Sequence, residues 1–320
     1  MSLQGRFAIG IVGMLALICG NAWGQSTPQE QCSLAVVSGL VERHKPVCAS
    51  GVVEEMARRG HAFEQNQMGI ASVLAIGPDY SPKEALAWFE KAAQRGYAPA
   101  EVNLSVMYIN GWGTAVNYGK GLHWLEAAAS QHFARAYYNL GILYLDGEGV
   151  RQDNAEALRW FQKGAEAGDS SAQTNLGYMY DQGLACERNA GTAAGWYRKA
   201  AQAGNPLGEN NLADMYLRGE GVAQDDAAAF VWFQKAAVQG HTGAQIKLGY
   251  LYAEGRGTKK DPEAAYAWIS AGAMAGDARG RDQLHSLESV LSATQIAEAR
   301  ERASQLRQRE AQLSAKAFAQ

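Results

Sequence analysis

What this sequence has little of excludes several kinds of protein. It carries 29 basic residues against 32 acidic ones, for a net charge of −3. No dense lysine–arginine block or basic–aromatic patch occurs, which argues against a nucleic-acid-binding protein. Proline is scarce, with 7 residues beside 36 glycines, and no glycine-rich linker is visible. The glycines instead recur at a fixed interval, which indicates repeated turns.

Motifs for catalysis and for metal binding are also missing. Among the 6 histidines, no two stand four apart on a helix, and none pairs with cysteines at zinc-finger spacing. There is no Gly-x-Ser-x-Gly elbow, and the Gly-Glu-Gly turns lack the lysine of a phosphate-binding loop. Cys186 takes the place that Val150 and Val222 hold in other copies of the unit, which favours a small buried hydrophobe over a reactive thiol. We therefore predict no catalytic residue, no metal site and no cofactor.

Residues 1–24 are typical of a secretory signal peptide. Arg6 supplies a weak positive start, residues 7–20 are apolar, and Ala22 and Gly24 are the small residues of a cleavage site. A retained membrane anchor is the alternative, but an apolar run this short falls below the roughly 20 residues that a spanning helix needs. Because no other segment is long and apolar enough, we expect an exported mature protein without a membrane span. The periplasm is the favoured location, and secretion is the alternative.

Residues 134–169 form the unit that the chain repeats. Each half carries apolar residues at helical spacing, and residues 146–149, Asp-Gly-Glu-Gly, must turn between the halves. Asp153 can cap the second helix, and Glu156 completes a capping-box pattern. One helix–turn–helix hairpin cannot bury both of its apolar stripes, so it needs copies of itself on either side.

Six units keep one frame over residues 62–277. A tryptophan recurs every 36 residues without slippage, and we interpret this ladder as structural core. Its members are Trp88, Trp124, Trp160, Trp196, Trp232 and Trp268. Residues 25–61 are predicted to be a degenerate N-terminal capping hairpin, and residues 278–320 to be C-terminal capping helices, because terminal repeats are atypical.

These residues resemble a known family. The segments Leu140-Gly141-Ile142-Leu143-Tyr144, Gly147-Glu148-Gly149-Val150 and Trp160-Phe161-Gln162-Lys163 are similar to the Sel-one-like repeat (SLR), a relative of the tetratricopeptide repeat. The resemblance implies an all-α fold, an α/α solenoid wound as a right-handed superhelix. It also implies a scaffold for protein partners, often an exported one in bacteria, and it transfers no catalytic residue.

One polar ladder is the candidate binding site. It precedes the Leu-Gly step of successive units at Asn103, Asn139, Asn175, Asn211 and Lys247. Asparagine gains nothing from helix propensity, and on the concave face of such an array its amide can give and accept a hydrogen bond with a ligand backbone. Tyr178 and Tyr250 share that face and suit a peptide partner. The alternative is a consensus asparagine that bonds a neighbouring repeat.

Cys32 and Cys48 are predicted to form a disulfide that staples the N-terminal cap. Export supplies the oxidising compartment. If the first cap helix ends near residue 38, the two α-carbons lie at levels about one helical turn apart, which side-chain direction could close.

The combined reading is an exported adaptor that binds a partner protein or peptide in the concave groove. A second reading is an enzyme, since cysteine-rich relatives have been linked to β-lactam hydrolysis. Those relatives carry cysteine pairs in successive repeats, whereas the repeats here hold Cys186 alone. A third reading is a structural part of an envelope assembly, which the sequence does not separate from an adaptor.

Overall fold

The computed structural model describes residues 50–74, 81–276 and 278–319. These ranges form α-helices and one short 3-10 helix at Ala278–Gly280, with no strand among them. The helices are α1 (Ser50–Arg58), α2 (Ala62–Leu74), α3 (Pro82–Ala93), α4 (Ala98–Asn110), α5 (Tyr118–Ser130), α6 (Ala134–Asp146), α7 (Asn154–Glu166), α8 (Ser170–Gln182), α9 (Ala190–Gln202), α10 (Pro206–Arg218), α11 (Asp226–Val238), α12 (Thr242–Glu254), α13 (Pro262–Met274), α14 (Arg281–Glu288) and α15 (Ala293–Ala319). The predicted signal peptide, residues 25–49 of the predicted N-terminal cap and the proposed Cys32–Cys48 bond lie outside the described residues.

The chain divides into two compact units, Met1–Trp160 with Ala315–Gln320 and Phe161–Ser314. Within each unit, consecutive helices pack as pairs. The first unit contains the pairs α2–α3 and α4–α5, and the second contains α8–α9, α10–α11 and α12–α13. This succession of helix pairs confirms the predicted all-α solenoid.

The turn inside each pair follows from a glycine and a capping residue. In the repeat at residues 134–169, Gly147 ends α6 in the left-handed conformation, with φ at 73°. The Asp153 amide then donates to the Tyr144 carbonyl at 2.8 Å, and the Asp153 carboxylate accepts from the Glu156 amide at 3.1 Å. The Glu156 carboxylate, however, accepts from Arg159 at 3.0 Å. The expected capping box is therefore half made, because an arginine one turn on attracts the carboxylate.

A second glycine in the turn fits closely against the preceding pair. A Cβ atom added to Gly221 would lie 2.1 Å from the carbonyl oxygen of Ala190, and one added to Gly257 would lie 2.0 Å from that of Asp226. Asp226 also receives a two-pronged bond from Arg256, at 2.8 and 3.0 Å. The turn of each of these pairs is thus seated on the start of the second helix of the pair before it.

Two turns keep the frame without glycine. His132 and Ala185 stand where other repeats have glycine, and they adopt left-handed φ values of 61° and 57°. Left-handed backbone is unfavourable for residues that carry a Cβ atom. The surrounding repeat therefore imposes the conformation, and these departures from the sequence pattern do not break it.

The tryptophan ladder packs at the margin of the core, not at its centre. All six tryptophans are half-buried, and Lys91, Lys199 and Lys235 lie about 4 Å over the rings three residues before them. The fully buried position is the residue that follows each tryptophan. Its occupants are Phe89, Leu125, Phe161, Tyr197, Phe233 and Ile269. The tryptophans thus border the core that the residues after them fill.

The C-terminal helices pack on the last repeat. The Ser292 amide donates to the Gln295 side chain at 2.9 Å, and the Gln295 amide donates to the Ser292 hydroxyl at 3.3 Å, so a capping box opens α15. Ala299 and Ala303 of α15 are buried, and Ala299 packs in a cluster with Ile269 of α13. Across the described part of the chain, no helix combines the length and apolar character that crossing a bilayer requires.

Candidate functional site

In the first of the two compact units, the residues of the predicted asparagine ladder are buried. Asn103 on α4 is 2% exposed, and its amide donates to the side chain of Asn66 on α2 at 2.9 Å. Asn139 on α6 is 6% exposed, and its amide nitrogen has no hydrogen-bond partner among the described residues. Asn103 thus bonds a neighbouring repeat, as in the alternative reading, and Asn139 presents almost no surface to a ligand.

In the second unit, the ladder is more accessible. Asn175 on α8, Asn211 on α10 and Lys247 on α12 are half-buried, and we name these three residues the polar stripe. The Asn175 amide donates to the Ser171 carbonyl of its own helix at 3.0 Å. The Asn211 side chain accepts from Asn210 at 3.1 Å and forms a hydrogen bond with the buried Tyr197. Asn175 and Asn211 therefore keep part of their hydrogen-bonding capacity at the surface.

Lys247 is anchored by the helix pair before it. Its ammonium group forms an ion pair with Asp214 and lies 3.3 Å from the side-chain oxygen of Asn210. The ammonium also lies 5.3 Å from the centre of the Phe233 ring. Sequence reasoning missed Asn210 and Asp214. The signal was the replacement of asparagine by lysine, because a half-buried cation calls for an anion on an adjoining helix.

His241 sets the local charge at the base of α12. Its Nδ1 atom accepts from the Ala244 amide at 3.1 Å and so caps the helix. Burial, and after it the Lys247 cation, lower the pKa of His241 to about 4. The ring is therefore neutral near pH 7, and the charged groups that act on it are Lys247, Asp214 and Arg279.

The two tyrosines assigned to this face have different surroundings. The Tyr250 hydroxyl donates to the Arg279 carbonyl at 2.9 Å, which ties it to the C-terminal segment. Tyr178 is half-buried and packs against the cluster around Tyr197 and Leu212. Tyr178 lies on the same helix as Asn175, so it is the aromatic side chain placed to extend the polar stripe. Their part in binding stays a prediction.

The remaining candidate groups show little reactive chemistry. The Cys186 thiol lies 3.6 Å from the Met179 carbonyl, and burial raises its pKa, which keeps it protonated near neutral pH. Within residues 50–74, 81–276 and 278–319, no three histidine, cysteine, aspartate or glutamate side chains are grouped to hold a metal ion.

Comparison with protein families gives one clear result. The Sel1 repeat model matches six consecutive segments, at residues 65–97, 98–133, 134–169, 170–205, 206–241 and 242–277. The chain belongs to the Sel1 repeat family. The resemblance drawn from the sequence is confirmed, and the six matches together span about two thirds of the chain. Members of this family typically act as scaffolds for protein–protein interaction.

Solved structures of other Sel1 repeat proteins are similar to this one. A Sel1 repeat protein from Oxalobacter formigenes has 32% identity and a TM-score of 0.64, over 68% of this chain and 89% of that one. The protective antigen c5321 of uropathogenic Escherichia coli, which displays an SLR fold, has 30% identity and a TM-score of 0.65. That match covers 82% of this chain but 56% of c5321. A search of curated proteins found no match.

Proposed function

We propose that this Sel1 repeat protein is an exported adaptor that binds an extended segment of a partner protein along the polar stripe. The observation that carries the proposal is the contrast within the ladder. Asn103 and Asn139 are enclosed, whereas Asn175, Asn211 and Lys247 present polar surface on the first helices of three successive helix pairs. An extended backbone offers donors and acceptors at regular intervals, which such a row of side chains can match.

The electrostatics of the stripe favour a polar segment with an exposed carbonyl or carboxylate near Lys247. Lys247 is held in place by Asp214, so little side-chain freedom is lost when a ligand binds. Tyr178 adds a rigid aromatic surface on the same helix as Asn175. We place the protein in the periplasm on the strength of the signal-like residues 1–24. Recovery of a chain that begins at Gln25 from the envelope fraction, by intact-mass measurement, tests that location.

Site-specific photo-cross-linking tests the adaptor function. A benzoyl-phenylalanine at Asn175 places the probe on the stripe, and the same probe at the exposed Gln234 of α11 serves as a control within the same unit. In the native envelope fraction, we expect one partner to be captured from Asn175 and not from Gln234. Lys247→Ala is expected to lower capture about tenfold or more, as for a hot-spot contact, whereas Lys235→Ala leaves it unchanged.

A thermal melt of each variant accompanies the cross-linking. Lys247→Ala leaves Asp214 half-buried without its cation, so the melt shows whether weaker capture comes from lost binding or from lost fold. Equal capture from Asn175 and Gln234 would contradict the assignment of the stripe. A drop in melting temperature that matches the loss of capture would make the ladder structural.

A further inference from the structure

The first repeat contains a groove on a different face from the polar stripe. A cavity of about 510 Å³ lies between the end of α1 and the helix α3, above α2. Gln65 of α2 contributes to its lining, as does Trp88 of α3. In this repeat, the position that corresponds to the asparagine ladder is residue 67, two positions after Gln65. Side chains two positions apart on a helix point in directions about 200° apart. The groove is therefore separate from the stripe, and an inference about it does not rest on the function proposed above.

Gln65 presents an incompletely used amide to this groove. It is 4% exposed, and its Nε2 atom donates to the Ala57 carbonyl at 3.0 Å. The side-chain oxygen of Gln65 has no hydrogen-bond partner among the described residues. The bond to Ala57 uses one of the two hydrogens on Nε2 and leaves the other without an assigned acceptor.

The sixth repeat shows what such a groove holds. Gln245, in the same register as Gln65, donates to the Ala237 carbonyl at 3.2 Å and also to the carboxylate of Glu310. Glu310 belongs to α15, is 8% exposed and lies beside Gly240, whereas the guanidinium of Arg95 lies beside Gly60, the counterpart of Gly240. The protein thus contains its own example of an acidic side chain on a helix, seated on this glutamine.

The rims of the two grooves differ in charge. In the first repeat, Arg58, Lys91 and Arg95 line the cavity. The same three positions of the sixth repeat carry Val238, Ala271 and Ala275. Glu310 accordingly brings its own cation, with Arg307 of the same helix at 2.6 Å. Because the first groove already supplies cations, an acidic helix bound there needs no cation of its own.

We propose that the first-repeat groove binds an acidic helix of a partner protein, with one carboxylate seated on Gln65 between Lys91 and Arg95. Arg58 is paired with Glu54 at 2.5 Å, whereas Lys91 lies over the Trp88 ring at 4.1 Å, where it lines the groove. A carboxylate hydrogen-bonded to a buried amide and flanked by cations makes a charge-assisted contact. By analogy with Ala299 and Ala303 of α15, the face of the helix toward the groove is expected to carry small residues.

The fourth repeat provides a matched control inside the same chain. Gln173 donates to the Ala165 carbonyl at 3.2 Å, as Gln65 does to Ala57, and its side-chain oxygen also has no partner in the described part of the chain. Lys199 corresponds to Lys91 and lies 3.9 Å over the Trp196 ring. The other two rim positions carry Glu166 and Ala203, so this groove has no excess of positive charge.

The test uses the full-length protein and a labelled peptide. The probe has the sequence of residues 293–314 with Arg302→Glu and Arg307→Glu, which keeps Glu310 and makes the helix acidic. Fluorescence anisotropy is expected to show saturable binding. Because Lys91 and Arg95 are exposed, Lys91→Glu with Arg95→Glu should leave the fold intact and weaken binding at least about tenfold. Lys199→Glu should change it less than about twofold, and Glu310→Gln in the peptide should also weaken it.

Several outcomes would overturn the proposal. They are an absence of saturable binding, an equal loss from Lys199→Glu, or no effect of Glu310→Gln in the peptide. A benzoyl-phenylalanine at Lys91 in the full-length protein, irradiated without peptide, identifies other occupants. A cross-link to residues 25–49 would assign the groove to the chain's own N-terminal segment, and one between two copies would assign it to self-association. Either result contradicts an acidic partner helix.

Discussion

The second and fifth repeats are built from corresponding parts, yet they present different surfaces. In each, a left-handed glycine ends the first helix, Gly111 at φ 69° and Gly219 at φ 68°. In each, the glutamine that directly follows the second helix donates to a buried glutamate, from Gln131 to Glu101 at 2.9 Å and from Gln239 to Glu209 at 2.8 Å. Their ladder residues differ, because Asn103 is enclosed and Asn211 is half-buried.

The comparison distinguishes contacts that build the repeat from side chains that could bind a partner. Turn glycines, caps and the glutamate–glutamine bond depend on contacts within a repeat or with one neighbour, so the frame reproduces them. Exposure of the ladder depends on the bulk of the surrounding side chains. In α4 eleven of the thirteen residues are buried, whereas six are buried in α10. The same residue type at the same register is therefore a structural bond in one repeat and accessible surface in another.

The largest effect is expected from the buried ring of the fifth repeat. Phe233 is 0% exposed, and Phe233→Ala should reduce the free energy of unfolding by about 3–5 kcal/mol through lost burial and the cavity left behind. Leu125→Ala, at the same position of the second repeat, should cost about 2–5 kcal/mol. Trp232→Ala should cost less than Phe233→Ala, since the indole is half-buried. Urea titrations of the three variants measure this order, and a larger loss from Trp232→Ala would restore the tryptophan as the core residue.

The buried glutamates should make stability depend on pH to different extents. Burial raises the pKa of Glu209 from 4.5 to about 7, against the lowering effects of Lys235 and of the bond from Gln239. The folded state therefore holds this proton more tightly than the unfolded chain, and stability falls as pH rises through that window. Glu209→Gln should remove the fall and stabilise the protein near pH 8 by on the order of 2 kcal/mol, with little change near pH 5.

Glu101→Gln is the matched control for this pH effect. Burial also raises the pKa of Glu101, but by less, so the gain near pH 8 should be smaller. Gln173 and Gln245 hold the same register and donate to a backbone carbonyl, which indicates that a glutamine fits at residue 209. Identical pH profiles for wild type and Glu209→Gln, measured by urea titration, would contradict a raised pKa.

The smallest effect concerns the end of the second helix. Gly240 has a φ of 87° in the fifth repeat, and His132 has a φ of 61° at the same position of the second. Gly240→Ala should lower stability by about 1 kcal/mol, because left-handed backbone strains a residue with a Cβ atom. His132→Gly should change it by less than about 0.5 kcal/mol, since relief of strain is offset by loss of the 3.0 Å contact with Tyr137. Melting temperatures of the two variants measure the difference. An unchanged melting temperature for Gly240→Ala would argue against the left-handed conformation.

Much of the fold could be predicted from the sequence, because it rests on local rules repeated in one frame. Gly147, Asp153 and the Ser292–Gln295 box act over a few residues, and their spacing is legible without a structure. The 36-residue periodicity marks the tryptophans as part of the hydrophobic core, but it does not show that the residue after each of them is buried more fully. Trp232 and Phe233 differ in burial through packing with neighbouring helices, which the sequence does not display.

The candidate site was less predictable for the same physical reason. The recurrence of asparagine defined the ladder, but the enclosure of Asn103 depends on Asn66 in the preceding repeat. The ion pair of Lys247 with Asp214 joins two helices at a spacing that is not a whole repeat. The role of Gln65 became visible through Gln245 and its contact with Glu310, which joins residues far apart in the chain.

The close seating of the second turn glycine constrains how such an array can change its length. With Gly221 against Ala190 and Gly257 against Asp226, these two turns are each matched in height to the helix start of the pair before them. Duplication or deletion of one whole 36-residue segment moves the turn glycine and the helix start together. The contact between them therefore forms again at the new junction. An insertion of any other length between the helix start and the turn glycine shifts the turn relative to the helix on which it packs. Gain and loss of complete units is therefore the route open to this chain for lengthening or shortening while it stays folded.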